Sequence, residues 1–99
     1  MSEIKYIKLK ELLISNPNII ETIKTQYLLL LSELTVTNYI ETSLFVKNVE
    51  RISEMGAIIV GVIDNSLKDI EIVASGTIII EPKIIREGRN VGHIEDIIV

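Results

Sequence analysis

The apolar residues of this chain change their period at Gly56, and that change limits the folds open to it. Upstream, Ile19, Ile20, Ile23, Tyr27, Leu30, Leu31 and Leu34 recur at helical spacing, and so do Ile40, Leu44, Phe45, Val49 and Ile52. Downstream, "AIIVGVID", "DIEIVASGTIIIEP" and "VGHIEDIIV" are strand-forming runs rich in β-branched residues. The spacing predicts helices near 18–33 and 37–55. The first has "SNPN" at 15–18 as its start signal, the second has Thr37 as its cap, and Gly56 in a left-handed conformation ends the second. Strands are expected near 57–63, 70–81 and 92–99, and "EIKYIKLK" supplies an earlier one from Glu3 to Leu9. Residues 10–14 read as a short helical turn or a loop. Consecutive strands joined by short links favour an antiparallel meander. The expected order is strand, helix, helix, strand, strand, strand: a single α/β domain over 1–99, without internal repeat or linker.

Composition narrows the function. Apolar residues make up 47% of 99 residues, enough for a core. A net charge of −4 argues against broad nucleic-acid binding, which needs a basic surface, but leaves room for a local phosphate pocket. There is no cysteine, so thiolate metal sites and disulfides are excluded. With one histidine, a histidine-based metal site is not expected either. The opening "MSEIKYIKLK" is charged throughout and lacks a signal-type apolar core, and no apolar run is long enough for a bilayer. The expectation is a soluble cytoplasmic protein with no membrane span.

The candidate chemistry gathers at the end. Glu95 and Asp96 stand side by side in an apolar strand, and neighbours on a regular strand point to opposite faces. They are therefore not expected to share one proton, and a solvated acid on a wet face is the plain alternative. His93 shares the face of Glu95; a hydrogen-bonded structural histidine is its commoner role. Lys83, Arg86 and Arg89 cluster within seven residues, a clamp for a phosphate or an ordinary solvated loop. Thr35 lies between the helices, where its hydroxyl serves a ligand or caps a turn. Neither a dinucleotide fingerprint nor a P-loop is present.

Together these pieces resemble a family. "GTIIIEPKIIREGRNVGHIEDIIV" is similar to the central segment of the glucosamine-6-phosphate N-acetyltransferase family, within the GCN5-related N-acetyltransferase superfamily. G-H-I-E-D-I-I-V is the most specific part, and "LSELTVTNYIETSLF" resembles the join of the family's first two helices. The resemblance implies the N-terminal half of an acyl-CoA N-acyltransferase fold and acetyl transfer from acetyl-CoA to the amine of glucosamine 6-phosphate. It implies sugar contacts by Glu95, Asp96 and the Ile97 backbone, phosphate contacts along Lys83, Ile84, Ile85 and Arg86, and a further substrate contact by Thr35. The backbone of Ile97, Ile98 and Val99 would pair with the pantetheine arm, as peptides do in strand augmentation. A homodimer is implied as well. Pro82 and Arg86 depart from the family's usual arginine and histidine. The family continues into Q/R-x-x-G-x-G/A, which cradles the coenzyme pyrophosphate. Val99 is reached before any such motif, so the resemblance implies the N-terminal portion of a longer enzyme. The alternatives are a non-catalytic half-acetyltransferase scaffold for dimerisation or regulation, and a superfamily member acting on another amine.

Overall fold

The computed structural model describes residues 3–65, 69–82 and 90–99. Four strands, β1 (Lys5–Lys8), β2 (Gly56–Asn65), β3 (Asp69–Pro82) and β4 (Asn90–Ile98), form one antiparallel sheet in the order β1-β2-β3-β4. Three helices, α1 (Leu9–Ser15), α2 (Ile20–Leu31) and α3 (Thr42–Met55), separate β1 from β2. A 3-10 turn at Pro17–Ile19 leads into α2, with the proline in its first turn, where the missing N–H costs nothing.

The meander and the change of period at Gly56 are as the residues led us to expect. Leu34 lies past the end of α2 and Leu44 is exposed, so neither joins the buried stripe expected of it, and three further details differ. Residues 9–15 form a full helix, because Leu9, Leu12 and Leu13 are buried together on its sheet-facing side. The helix after "LTVT" starts at Thr42, with Glu41 rather than Thr37 at its cap position. Thr37 instead donates its hydroxyl proton to the Leu28 carbonyl (3.4 Å), and Ile40 lies in the 32–41 connection, outside the helical stripe. Finally, Gly56 closes α3 with φ 170°, which is extended backbone and not left-handed. Glycine is required there by proximity: a Cβ would fall 1.8 Å from the Ile78 carbonyl oxygen across the β2–β3 ladder. The expected turn at 65–68 lies largely outside the described residues.

The core sits between the helices and one face of the sheet. Ile23 and Tyr27 of α2, Phe45 and Val49 of α3, Ile58 and Val60 of β2 and Ile72 of β3 join the α1 leucines in one buried cluster. Tyr27 and Phe45 pack ring against ring at 5.9 Å and 53°, a favoured tilted geometry. Among the described residues nothing covers the opposite face. Tyr6, Ile78, Ile80, Ile94 and Ile97 are exposed there, and a shallow apolar cavity of about 250 Å³ runs between Tyr6, Ile59, Ile78, Ile94 and Ile97.

Two irregularities interrupt the ladders. Gly61 pairs with Ala74 and Val62 with Ile72, so β3 carries one extra residue, Val73. Thr77 pairs with Glu95 and Ser75 with Ile98, so β4 spends three steps where β3 spends two. Each is a β-bulge, a local insertion that re-aims side chains. The β3 bulge keeps Ile70 and Ile72 on the helix side while moving Ser75, Thr77 and Ile79 onto that same side further along.

Candidate functional site

The β4 bulge builds the site. Asp96 has φ 51°, the only positive φ at a non-glycine position among the described residues. Aspartate is one of the few residues that tolerates this conformation, because its short polar side chain can bond locally. The bulge changes where the two acids lie. On a regular strand Asp96 would face away from Glu95, but both residues line one cavity of about 430 Å³ between the sheet, α2 and α3. The expectation of opposite faces is corrected by that inserted residue: the alternation of a strand holds only where the pairing is regular.

The rest of the cavity wall is mostly apolar. Leu28, Leu31, Ile40, Phe45, Ile52 and Ile79 form it, with Asn48, Thr77 and Tyr27 as polar members. Tyr27 and Thr77 of its wall belong to a hydroxyl cluster whose third member, Ser75, lies outside the lining. Tyr27 is 7% exposed, and its phenol faces the hydroxyls of Ser75 and Thr77, each 5% exposed. Burial holds the Tyr27 pKa above its ordinary value near 10, the Asp96 carboxylate raises it further, and the two hydroxyls oppose the rise. Ser75 Oγ is buried with no well-formed hydrogen bond among the described residues. A buried polar atom left in that condition is uncommon, and such atoms concentrate where a fold serves something other than stability.

β4 is the edge strand of the sheet among the described residues. Past the bulge, Ile98 returns to the buried side, while Ile97 lies on the outer face. Val99 follows the strand and is exposed. Among the described residues the outer main chain of β4 has no strand partner.

Other sequence candidates fall as follows. His93 pairs with Ile79 and Glu95 with Thr77, so His93 shares the helix-side face of Glu95 as anticipated. Thr35 is exposed in the 32–41 connection, where its N–H donates to the Leu31 carbonyl at 3.3 Å, and its side chain is not part of the cavity wall. Lys83, Ile84, Ile85, Arg86 and Arg89 lie outside the described residues. Sequence reasoning missed Tyr27 and Thr77. Tyr27 was read as a core residue of the helical stripe, which it is, and its hydroxyl gave no separate signal. Thr77 stood inside a strand run where β-branched residues are ordinary.

Comparison with known proteins places this geometry. No protein-family model matches the chain, and no curated protein sequence does. Solved structures do match. Glucosamine-6-phosphate N-acetyltransferase from Arabidopsis thaliana superposes with a TM-score of 0.71 at 29% identity, covering 98% of this chain and 60% of that one. An acetyltransferase from Trypanosoma brucei gives 0.69 at 28% identity, with the same coverage of each chain. The chain therefore spans about 60% of the length of the structures it matches. Among the described residues no helix is long and apolar enough to cross a membrane. Over 98% of its length the chain is thus similar in fold to these acetyltransferases, consistent with an N-terminal portion of the GCN5-related N-acetyltransferase fold.

Proposed function

We propose that this chain carries the acceptor side of an acetyltransferase that moves the acetyl group of acetyl-CoA to the amine of glucosamine 6-phosphate. The observation that carries the reading is the β4 bulge, which turns both Glu95 and Asp96 towards one cavity at the open edge of the sheet. The likeness to the Arabidopsis enzyme over 98% of the chain supports the choice of acceptor.

In this reading the carboxylates accept hydrogen bonds from the hydroxyls and the neutral, nucleophilic amine of the amino sugar. Charge-assisted bonds of this kind are roughly twice as strong as neutral ones. The main chain of Ile97, Ile98 and Val99 aligns the thioester arm, and acetyl-CoA supplies the activated acyl group. The protein then contributes mainly position: the sugar amine is held against the acetyl carbonyl, so that the encounter is no longer bimolecular. Lys83, Ile84, Ile85 and Arg86 are assigned to the sugar phosphate, and Thr35, outside the cavity wall, to a part of the same substrate that extends beyond the cavity. The exposed Tyr6, Ile78, Ile80, Ile94 and Ile97 support a homodimer, because an apolar sheet face is costly in water.

Thiol release from acetyl-CoA, measured with glucosamine 6-phosphate, glucosamine and an unrelated primary amine, tests the reading. The measurement uses the protein that the complete reading frame encodes. Preference for the phosphorylated sugar is expected. Lys83→Ala should raise KM for it more than for glucosamine. Equal use of all three amines would reject the assigned acceptor, and no use of any would reject the activity.

A further inference from the structure

Lys24 has an acceptor for each hydrogen of its ammonium, and nothing in the proposed chemistry uses it. It sits on α2 with only 2% of its surface exposed. An ammonium has three N–H donors, and this one has three acceptors: Glu21 Oε1 at 2.8 Å, the Ile40 carbonyl at 2.9 Å and Thr42 Oγ1 at 3.2 Å. The Tyr39 ring covers it at 4.5 Å, a cation–π distance. Thr42 in turn donates its hydroxyl proton to Glu21 Oε2. Three of the partners, Tyr39, Ile40 and Thr42, follow one another across the end of the 32–41 connection and the start of α3.

Stability does not call for a charge at this position. Burying an ammonium is expensive, and an apolar side chain of similar volume often serves as well or better. A lysine does offer directed bonds that fix one backbone in one place. Of the residues it holds, Ile40 forms part of the cavity wall that also contains Glu95 and Asp96. The 32–41 connection is otherwise tied to α2 by the Thr37–Leu28 bond and by backbone bonds at its first turn. Its Leu34, Val36 and Tyr39 are exposed, and Ile40 is the residue of the connection that packs, half-buried, against the core.

We propose that Lys24 is a positioning residue: its ammonium pins residues 39–42 to α2, and through Ile40 it keeps the cavity beside Glu95 and Asp96 in its binding shape. That this cavity receives the acceptor rests on the function proposed above. The pinning itself does not.

The test therefore has two arms, run on wild type, Lys24→Met and Thr42→Val. The first is chymotryptic cleavage after Tyr39, with cleavage after the strand residue Tyr6 as internal control. Cleavage reports the population of the opened segment. Lys24→Met should speed cleavage at Tyr39 about tenfold relative to Tyr6, and Thr42→Val less, since it removes only one of the lysine's partners. The second arm is acetyl-transfer kinetics. Lys24→Met should raise the acceptor KM about tenfold, with kcat and the acetyl-CoA KM changed by less than about threefold. An unchanged Tyr39/Tyr6 cleavage ratio overturns the pinning, as does equal acceleration at both sites. Faster cleavage with an unaltered acceptor KM overturns the role in positioning while leaving the acetyltransferase reading intact. Absence of transfer in wild type rejects that reading and, with it, the link to the acceptor; the cleavage arm then decides the pinning alone.

Discussion

The two bulges of the sheet are the same backbone device put to different ends. At the β3 bulge the extra residue is Val73, and the adjoining main chain is bonded to α2. Gln26 donates its side-chain amide to the Ile70 carbonyl at 2.8 Å and accepts the Ile72 N–H at 2.7 Å. It stands in for a neighbouring strand where β4 has already ended, since β4 pairs with β3 only as far as Ser75. At the β4 bulge the helix residue that faces the sheet is the next one, Tyr27. There the extra residue is an aspartate at positive φ, and a buried hydroxyl lacks a good partner. One bulge is bonded and apolar; the other is strained, acidic and incompletely satisfied. The contrast teaches that irregular geometry alone is no mark of function, whereas irregularity with unmet polar groups is.

Deletion is the severest way to break the comparison. Removing Asp96 makes the β3–β4 ladder regular while leaving Ile97 and Ile98 on their present faces, so the fold should survive. Acetyl transfer should fall by at least about a hundredfold, because the acid and its angle of approach go together. Removing Val73 makes the β2–β3 ladder regular in the same way and should leave transfer within about threefold of wild type. Equal losses from the two deletions would erase the distinction.

Gln26→Leu addresses the bonded bulge. It strands a carbonyl and an N–H that are partly buried, at a cost of about 1–3 kcal/mol. Thermal unfolding should show a midpoint lowered by roughly 4–8 °C per kcal/mol in a domain of this size. A midpoint unchanged within error would mean that water replaces the amide without loss.

Asp96→Gly is expected to act in the other direction on stability. Glycine adopts positive φ freely, so the variant should hold or gain up to about 1 kcal/mol while transfer declines. Stability lost together with activity would show that the aspartate side chain holds the bulge in place.

The smallest effect is spectroscopic. Tyr27 has a folded pKa above its value in the unfolded chain, so it favours the folded state below about pH 10 and loses that contribution as pH rises through the folded value. In a phenolate absorbance titration Tyr27 should ionise above the ordinary tyrosine value near 10, and Asp96→Asn should bring its titration down in pH. A Tyr27 titration unmoved by that substitution would place the carboxylate further from the phenol than the structure does. At the acid end, the Lys24 and Thr42 bonds hold Glu21 below its ordinary value near 4.5. Their contribution is present above that value and fades as pH falls through the lower folded pKa.

Much of this fold could be read from residue periods. The change at Gly56 located the join between helices and meander, and the alternation after it gave three strands and their antiparallel pairing. What escaped depended on contacts between distant parts of the chain. Thr37 was the expected helix start, but Thr42 opens α3 in the Lys24–Glu21 network, while Thr37 binds back to Leu28. Residues 9–15 are too short to show a helical period unaided, and only the burial of Leu9, Leu12 and Leu13 makes them a helix. For the site, the motif G-H-I-E-D-I-I-V pointed to Glu95 and Asp96, but a period-two rule then sent them to opposite faces. A bulge is a property of two strands in register, and the only local trace of it was an aspartate where left-handed backbone is tolerated.

The central claim is that the β4 bulge presents Asp96 to the acceptor amine. Its most direct test is the kcat/KM of Asp96→Asn for glucosamine 6-phosphate, read beside the thermal midpoint of the same variant. Asparagine tolerates the same positive φ and removes only the charge, so the fold and the bulge should be kept. The account predicts a loss of about ten- to a hundredfold in kcat/KM, with an unchanged midpoint and little change in the acetyl-CoA KM. Full activity in Asp96→Asn, or a loss that merely follows a lowered midpoint, would contradict it.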